Sequence, residues 1–222
     1  SGSYLEVGTG TGQWVYNAGN ALIPLDATSL ASFTPGAVSA SNALMLNTAD
    51  SVSSVTQING LNFVLAGGTS SLSNGAYARQ LNYSGNFSST FHGTLSAADG
   101  TNSIRHGAFQ VGVGNQGIVD LHNGNYLIVS GTSQPNYYTF VDGSQGTSGI
   151  TGLNSTNSLT TALGAGGNNF VTTVFTNGSY VIQLGKSDPS YTQFGTTLPY
   201  GALFYGNGTS RQVGDLLTGS VS

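Results

Sequence analysis

Side chains that could carry acid–base or metal chemistry are few in this chain. Its 222 residues include three His, eight Asp or Glu, four Lys or Arg, and no Cys. His92, His106 and His122 show neither the HExxH nor an HxH spacing of zinc sites. Thiolate ligands and disulfides are excluded because cysteine is absent. We therefore predict no metal site and no cofactor.

Asp120 and His122 are two residues apart, and a strand would place both side chains on one face. A metal ion would need a further ligand from elsewhere. Polar alternation on an exposed strand explains the pair without any ligand. The sequences DGTN (99–102) and DGSQ (142–145) are typical of turns, and the nearby carboxylates are too few for tight calcium binding.

The sequence does not indicate an enzyme. Glu6 is the only Glu, the Asp residues are widely spaced, and no GxSxG elbow is present. The segment GTGTG (8–12) lacks the GxGxxG spacing of phosphate-binding loops and precedes a strand-like segment. A secreted acid-tolerant hydrolase with dispersed catalytic acids stays open as an alternative.

Charge is the compositional outlier, because Asp, Glu, Lys and Arg make up 5% of the residues. Nucleic-acid binding is excluded, since the four basic residues are scattered and the net charge is −4. No apolar run is long enough to span a bilayer. A polar surface that barely titrates suits the cell exterior, and weak charge repulsion favours self-association. We predict a secreted, extracellular protein.

The hydrophobic pattern has a period of two almost throughout, in short runs separated by Gly, Asn and Ser. We count about fourteen such strands, among them Phe87–Leu95, and allow one short helix near Asp26–Ser32. The pattern predicts an all-β fold, an antiparallel β-sandwich or barrel-like structure with many short strands and hairpins and little or no helix.

The stretch FVTTVFTNGSYVIQLG (170–185) is the clearest β-hairpin. We expect a type I′ turn, in which Asn177 and Gly178 both have positive φ. The segment 115–131 aligns with 169–185 without gaps, and 59–67 is a looser third copy. The match predicts either a repeated unit or independent hairpins that share one turn.

Residues 1–20 are predicted to form an extended N-terminal arm, and residues 21–222 a β-sandwich body. Because segments 142–152 and 164–169 are rich in Gly, that body could be divided into two sub-domains with a boundary near 142–169.

Five Asn residues stand in N-x-[ST] sequons, which are N-glycosylation acceptors in a host that glycosylates. Chance alone gives about this number in a chain so rich in Asn, Ser and Thr, so only their positions are informative. The candidate sites are Asn82, Asn86, Asn154, Asn177 and Asn207.

The N-terminal segment SGSYLEVGTGTGQWVYNAGN alternates as a strand does. Its apolar residues could complete the sheet of a neighbouring subunit or pair within their own domain. The candidate linking residues are Tyr4, Leu5, Val7, Trp14, Val15 and Tyr16.

In composition and in this arm, the chain resembles secreted surface-filament subunits assembled by donor-strand complementation, including the glycosylated thread-type filaments of acid-dwelling archaea. The resemblance implies a head-to-tail polymer with an adhesive or protective role and sugar-decorated Asn.

Together these observations favour a structural subunit of an extracellular filament, sheath or surface layer whose partners are copies of itself. The alternative is a carbohydrate-binding or adhesive module, including a viral receptor-binding part, which would bind surface glycans.

Overall fold

A computed structural model describes residues 3–6, 12–26, 36–46, 52–60, 62–67, 76–83, 85–95, 104–106, 117–130, 136–147, 159–161, 170–184, 192–193, 196–197, 202–210 and 215–216. Regular structure in these residues is almost entirely β-strand, with one short helix, and strand pairs are antiparallel with one exception. The predicted all-β fold is confirmed.

Nineteen strands and one helix make up the regular structure of the described residues. In chain order, the strands are β1 (Ser3–Glu6), β2 (Gln13–Asn17), β3 (Ala21–Asp26), β4 (Leu44–Leu46), β5 (Val52–Ile58), β6 (Asn62–Gly67), β7 (Ala76–Asn82), β8 (Gly93–Leu95), β9 (Ile104–His106), β10 (Ile118–Asp120), β11 (Tyr126–Ser130), β12 (Asn136–Val141), β13 (Leu159–Thr161), β14 (Phe170–Val174), β15 (Tyr180–Leu184), β16 (Thr192–Gln193), β17 (Thr196–Thr197), β18 (Ala202–Gly206) and β19 (Asp215–Leu216). The helix is α1 (Phe87–Thr90).

These strands form four larger sheets and one small one. Sheet A has the order β1-β2-β3-β4-β8, in which β4 and β8 are parallel. Sheets B, C and D are four-stranded antiparallel sheets with the orders β5-β6-β7-β9, β10-β11-β12-β13 and β14-β15-β18-β19. A two-stranded sheet, β16-β17, lies between β15 and β18 in the chain.

The middle sheets are buried on both faces. In β6, Phe63 and Leu65 pack in a cluster with sheet A, while Val64 and Ala66 pack in a cluster with sheet C. This follows from the alternation of side chains along a strand, since all four residues from Phe63 to Ala66 are apolar. Sheet B is therefore an internal layer.

Sheet C repeats this arrangement. Tyr126 and Ile128 of β11 pack against sheet B, whereas Leu127 and Val129 pack against sheet D. The four sheets therefore stack in chain order, A–B–C–D. A stack of four layers differs from the two layers of the predicted sandwich, because β6 and β11 are apolar on both faces. Four-stranded sheets packed face to face in chain order are also the units of propeller and other repeat architectures.

The helix α1 overturns the prediction of one strand over Phe87–Leu95. Asn86 caps the helix by accepting a hydrogen bond from the N–H of Ser89 at 3.3 Å. Phe87 and Phe91 are four residues apart on one helical face, with ring centroids 5.2 Å apart, in the core between sheets A and B. Strand structure begins only at Gly93.

A short helix is also predicted near Asp26–Ser32. Asp26 is the last residue of β3, and residues 27–32 lie outside the described residues.

The predicted hairpin is confirmed, with Phe170 paired to Leu184 and Val174 to Tyr180. The predicted turn type is wrong, because positive φ occurs at Gly178 (84°) and not at Asn177. The N–H of Phe175 donates to the carbonyl of Ser179 at 2.8 Å and that of Gly178 donates to the carbonyl of Phe175 at 2.9 Å. These bonds define a three-residue loop in which only Gly takes the left-handed region.

The hairpins of sheets C and D are a structural repeat with an offset of 54 residues. The bond from Leu121 N–H to Asn125 carbonyl corresponds to the Phe175–Ser179 bond of sheet D. Asn123 Oδ1 accepts a bond from the N–H two residues on, as Asn177 Oδ1 does, and each distance is 3.0 Å. The aligned segments thus share register and side-chain capping, but the turns differ, since His122 has positive φ and its counterpart Thr176 does not.

Amide side chains join successive sheets at the end of the stack that carries these turns. The carbonyl of Gly143, after β12, accepts bonds from Gln80 Nε2 at 2.7 Å and Asn62 Nδ2 at 3.4 Å, both from sheet B. The carbonyl of Gly208, after β18, accepts bonds from Asn123 Nδ2 at 2.8 Å and Asn125 Nδ2 at 3.0 Å, both from sheet C. Side-chain amides of sheet B thus bond to the turn after β12 of sheet C, and those of the β10–β11 turn of sheet C bond to the turn after β18 of sheet D.

Two tyrosines occupy equivalent positions of the repeat but differ in the hydrogen bonding of their hydroxyls. Tyr126 and Tyr180 are fully buried, and burial raises the pKa of both phenols far above its usual value, so both stay neutral. The hydroxyl of Tyr126 donates to Gln80 Oε1 at 3.1 Å. In sheet C, Phe140 occupies the position that Gln80 has in sheet B. The Tyr180 hydroxyl has no hydrogen-bond partner among the described residues.

This difference predicts opposite effects of one chemical change. We expect Tyr126→Phe to lower the free energy of unfolding by about 1–2 kcal/mol, because Gln80 loses its buried donor. We expect Tyr180→Phe to leave it unchanged or raise it by about 1 kcal/mol, since an unbonded buried hydroxyl is removed. Urea unfolding followed by circular dichroism measures both, and equal losses in the two variants would contradict the assignment.

Candidate functional site

The structure brings Asp120 and His122 together, though not on one strand as predicted. Strand β10 ends at Asp120, and His122 lies in the following turn with φ of +61°. The His122 Nδ1 and Asp120 Oδ2 atoms are 3.2 Å apart. The histidine ring is largely exposed and the carboxylate is mostly covered.

Both carboxylate oxygens of Asp120 are engaged by backbone N–H groups. Oδ1 accepts from the N–H of His122 at 2.8 Å, and Oδ2 accepts from the N–H of Asn59 at 3.1 Å. Asn59 lies in the β5–β6 turn, where Asn59 and Gly60 both have positive φ. Asp120 therefore ties the turns of sheets B and C together, which is a structural task.

No cluster of three His, Asp or Glu side chains that could hold a metal ion is found within the described residues. In the DGSQ turn, Asp142 Oδ1 accepts bonds from the N–H and hydroxyl of Ser144 at 2.9 and 2.7 Å. Its carboxylate thus caps its own turn. The DGTN segment lies outside the described residues.

The candidate glycosylation residues occupy several settings. Asn177 and Asn207 are exposed in turns at the end of the stack, and their Oδ1 atoms accept bonds from the N–H groups of Ser179 and Thr209. Asn82 is exposed at the end of β7, and Asn86 is the exposed cap of α1. Asn154 lies outside the described residues. Use of these sequons stays a prediction.

Strands β1 and β2 of the N-terminal arm lie in sheet A of their own chain. Strand β1 pairs with β2, with Tyr4 opposite Tyr16 and Leu5 opposite Val15. Val15 is buried in the core between sheets A and B, while Trp14 and Tyr16 pack on the other face of sheet A. Val7 lies outside the described residues.

The exposed large apolar side chains of the described residues are concentrated on the side of sheet D turned away from sheet C. We call this side the outer face of sheet D. It is formed by seven residues, Val171, Thr173, Phe175, Val181, Gln183, Leu203 and Tyr205, and Asp215 of the edge strand β19 is paired with Tyr205 beside them.

Four of its side chains stay well exposed: Val171 at 53%, Phe175 at 46%, Leu203 at 42% and Tyr205 at 39%. The other large apolar side chains with comparable exposure in the described residues are Val38 and Tyr83. An exposed apolar face of this kind is a candidate site of contact with another molecule.

Comparisons of the chain with protein-family models, curated proteins and solved structures give no match. Among the residues that the structure describes, no helix has the length and apolarity needed to cross a membrane.

The sequence pattern did not predict the outer face of sheet D. The stretch FVTTVF does alternate, with Val171, Thr173 and Phe175 on one side and Thr172 and Val174 on the other. Both sides carry apolar residues, however, so the pattern does not tell which side meets sheet C. The order of the sheets is needed to identify the open side.

The Asp120 assignment is testable by two substitutions. We expect Asp120→Ala to lower the free energy of unfolding by about 1–3 kcal/mol, since two turn N–H groups lose their acceptor. We expect His122→Gly to change it by less than about 1 kcal/mol, because glycine adopts positive φ freely. Unfolding in urea measures both, and unchanged stability of Asp120→Ala would refute the structural role.

Proposed function

We propose that the chain is a structural subunit of an extracellular filament, sheath or surface layer, which assembles through β-sheet surfaces. The observation that carries this proposal is the outer face of sheet D. It exposes Val171, Phe175, Leu203 and Tyr205 on one surface, with Asp215 of the edge strand β19 paired to Tyr205.

Burial drives association across such a face. Each Å² of apolar surface removed from water contributes roughly 25 cal/mol, so several half-exposed large side chains supply a useful share of a binding free energy. Charge normally opposes close approach of identical molecules, and here charged residues are 5% of the chain. Self-association therefore meets little electrostatic resistance.

The composition supports an extracellular setting. Stability without cysteine depends on core burial and hydrogen bonds, which change little with redox conditions or with the pH of the surroundings. The exposed turn residues Asn177 and Asn207 would accept glycans in a host that glycosylates. We assign the assembly an adhesive or protective role.

Assembly through the outer face of sheet D requires no exchange of strands. Donor-strand complementation would require β1 to leave β2 in one chain and pair with β2 of another. We therefore place the primary contact on sheet D, and strand exchange through the arm remains a separate proposal.

A carbohydrate-binding module is the second candidate, favoured by one observation. On the outer face of sheet D, the exposed ring of Tyr205 lies on the strand next to exposed Gln183. An aromatic ring beside an amide is the combination that stacks on a sugar and hydrogen-bonds its hydroxyls. This interpretation would make surface glycans the partners of the same face.

Sedimentation velocity over a wide range of concentration tests the proposal. We expect assembly that grows with concentration, persists from low to about 1 M NaCl because burial of apolar side chains drives it, and yields regular particles in negative stain. A monodisperse monomer at every concentration and salt would overturn it. Glycan-array binding by that monomer would then support the second candidate.

A further inference from the structure

The outer face of sheet D has the same layout as the face by which sheet C packs on sheet D. The 54-residue offset places Phe175 at the position of Leu121, Val181 at that of Leu127, and Gln183 at that of Val129. Leu121, Leu127 and Val129 are buried.

The third strands correspond as well. Tyr138 and Phe140 of β12 pair with Val129 and Leu127, just as Leu203 and Tyr205 of β18 pair with Gln183 and Val181. Tyr138 and Phe140 are buried against sheet D, whereas Leu203 and Tyr205 are exposed. Sheet D therefore retains the packing surface of an internal sheet.

Terminal units of stacked architectures normally have a polar outer face, which keeps them soluble. On sheet D only Thr173 and Gln183 of the seven face residues are polar. The other five are aliphatic or aromatic, as on an internal sheet. Its layout fits another twisted β-sheet laid across it at about 10 Å, the spacing of packed sheets.

The opposite end of the stack does not offer that second sheet. The side of sheet A turned away from sheet B carries Ala21, Ile23, Leu25 and Ala43, and all four are already buried within one chain. The exposed apolar sheet face of the described residues is thus the outer face of sheet D itself. The seven residues of this face are uncharged, and Asp215 lies beside them on the edge strand β19, opposite Tyr205.

We propose that the outer face of sheet D docks on the same face of a second copy of this chain, forming a two-fold dimer that continues the stack as A–B–C–D–D–C–B–A. This inference rests on the self-assembly proposed above and names its first contact.

Gln183 fits such an interface. It lies on β15, the strand between β14 and β18, where the equivalent residue of sheet C is Val129. A side-chain amide is both donor and acceptor, so two copies of Gln183 brought together by a two-fold axis can hydrogen-bond to each other. A polar residue at this place fixes the register of two otherwise apolar faces.

Charge substitutions of Gln183 test the contact and its symmetry. Gln183→Glu and Gln183→Lys change an exposed polar side chain, so the monomer fold should persist, as circular dichroism and thermal unfolding will show. Each variant alone places like charges across the interface, and we expect the dimer dissociation constant to rise roughly 100-fold. An equimolar mixture should restore dimers, because opposite charges then face each other.

Gln145→Glu is the matched control, since Gln145 is exposed in the turn after β12 and lies outside this face. We expect it to dimerise as the unsubstituted chain does, in sedimentation equilibrium. If Gln183→Glu unfolds, the pair Thr173→Glu and Thr173→Lys replaces the Gln183 pair with the same expectations.

The outcomes separate this inference from the proposed function. A monomeric unsubstituted chain overturns both. Assembly that survives in Gln183→Glu as well as in the control overturns the sheet D contact but keeps self-assembly. Loss of assembly in both charge variants without recovery in their mixture overturns the two-fold symmetry, because the face then meets a different surface.

Discussion

Two-sided burial of the central sheets is the constraint on which this structure depends. Runs such as Phe63–Ala66 and Tyr126–Val129 have apolar side chains on both faces of their strands, so a single neighbouring sheet cannot cover them. With no disulfide, no metal cluster among the described residues and few charges, the stack is stabilised chiefly by this burial and by sheet hydrogen bonds. The last sheet has the same two-sided apolar character, and its outer face stays exposed.

Side-chain amides make the polar contacts between sheets that ion pairs make in more charged proteins. The carbonyls of Gly143 and Gly208 each accept two side-chain amides from the preceding sheet. A Cβ at either glycine would overlap a backbone carbonyl oxygen of its neighbouring hairpin turn, that of Gly124 or Gly178, so the close approach of these turns requires Gly. Neutral amide contacts of this kind are insensitive to salt. They fix the spacing of successive sheets and so place the outer face of sheet D.

Local elements were more predictable from the sequence than their arrangement. The hairpin at 170–184 followed from two β-rich runs around Asn177-Gly178, but the turn type did not, because Asn-Gly fits both a type I′ turn and the loop observed. The residues Phe and Thr of Phe87–Leu95 are common in strands, whereas the cap at Asn86 and the packing of Phe87 on Phe91 produce a helical turn. The order of the sheets depends on which apolar face meets which, and periodicity alone carries no information about partners. The candidate site is a product of that order, and for this reason it could not be predicted from the residues.

Hydroxyl-radical footprinting of side chains, compared between dilute and assembled protein, tests the central claim most directly. We expect Phe175, Leu203 and Tyr205 to lose reactivity on assembly, while Tyr83, which is as exposed as Tyr205 but lies on another part of the chain, keeps it. Unchanged reactivity of the three sheet D side chains in the assembled protein would contradict assembly through the outer face of sheet D.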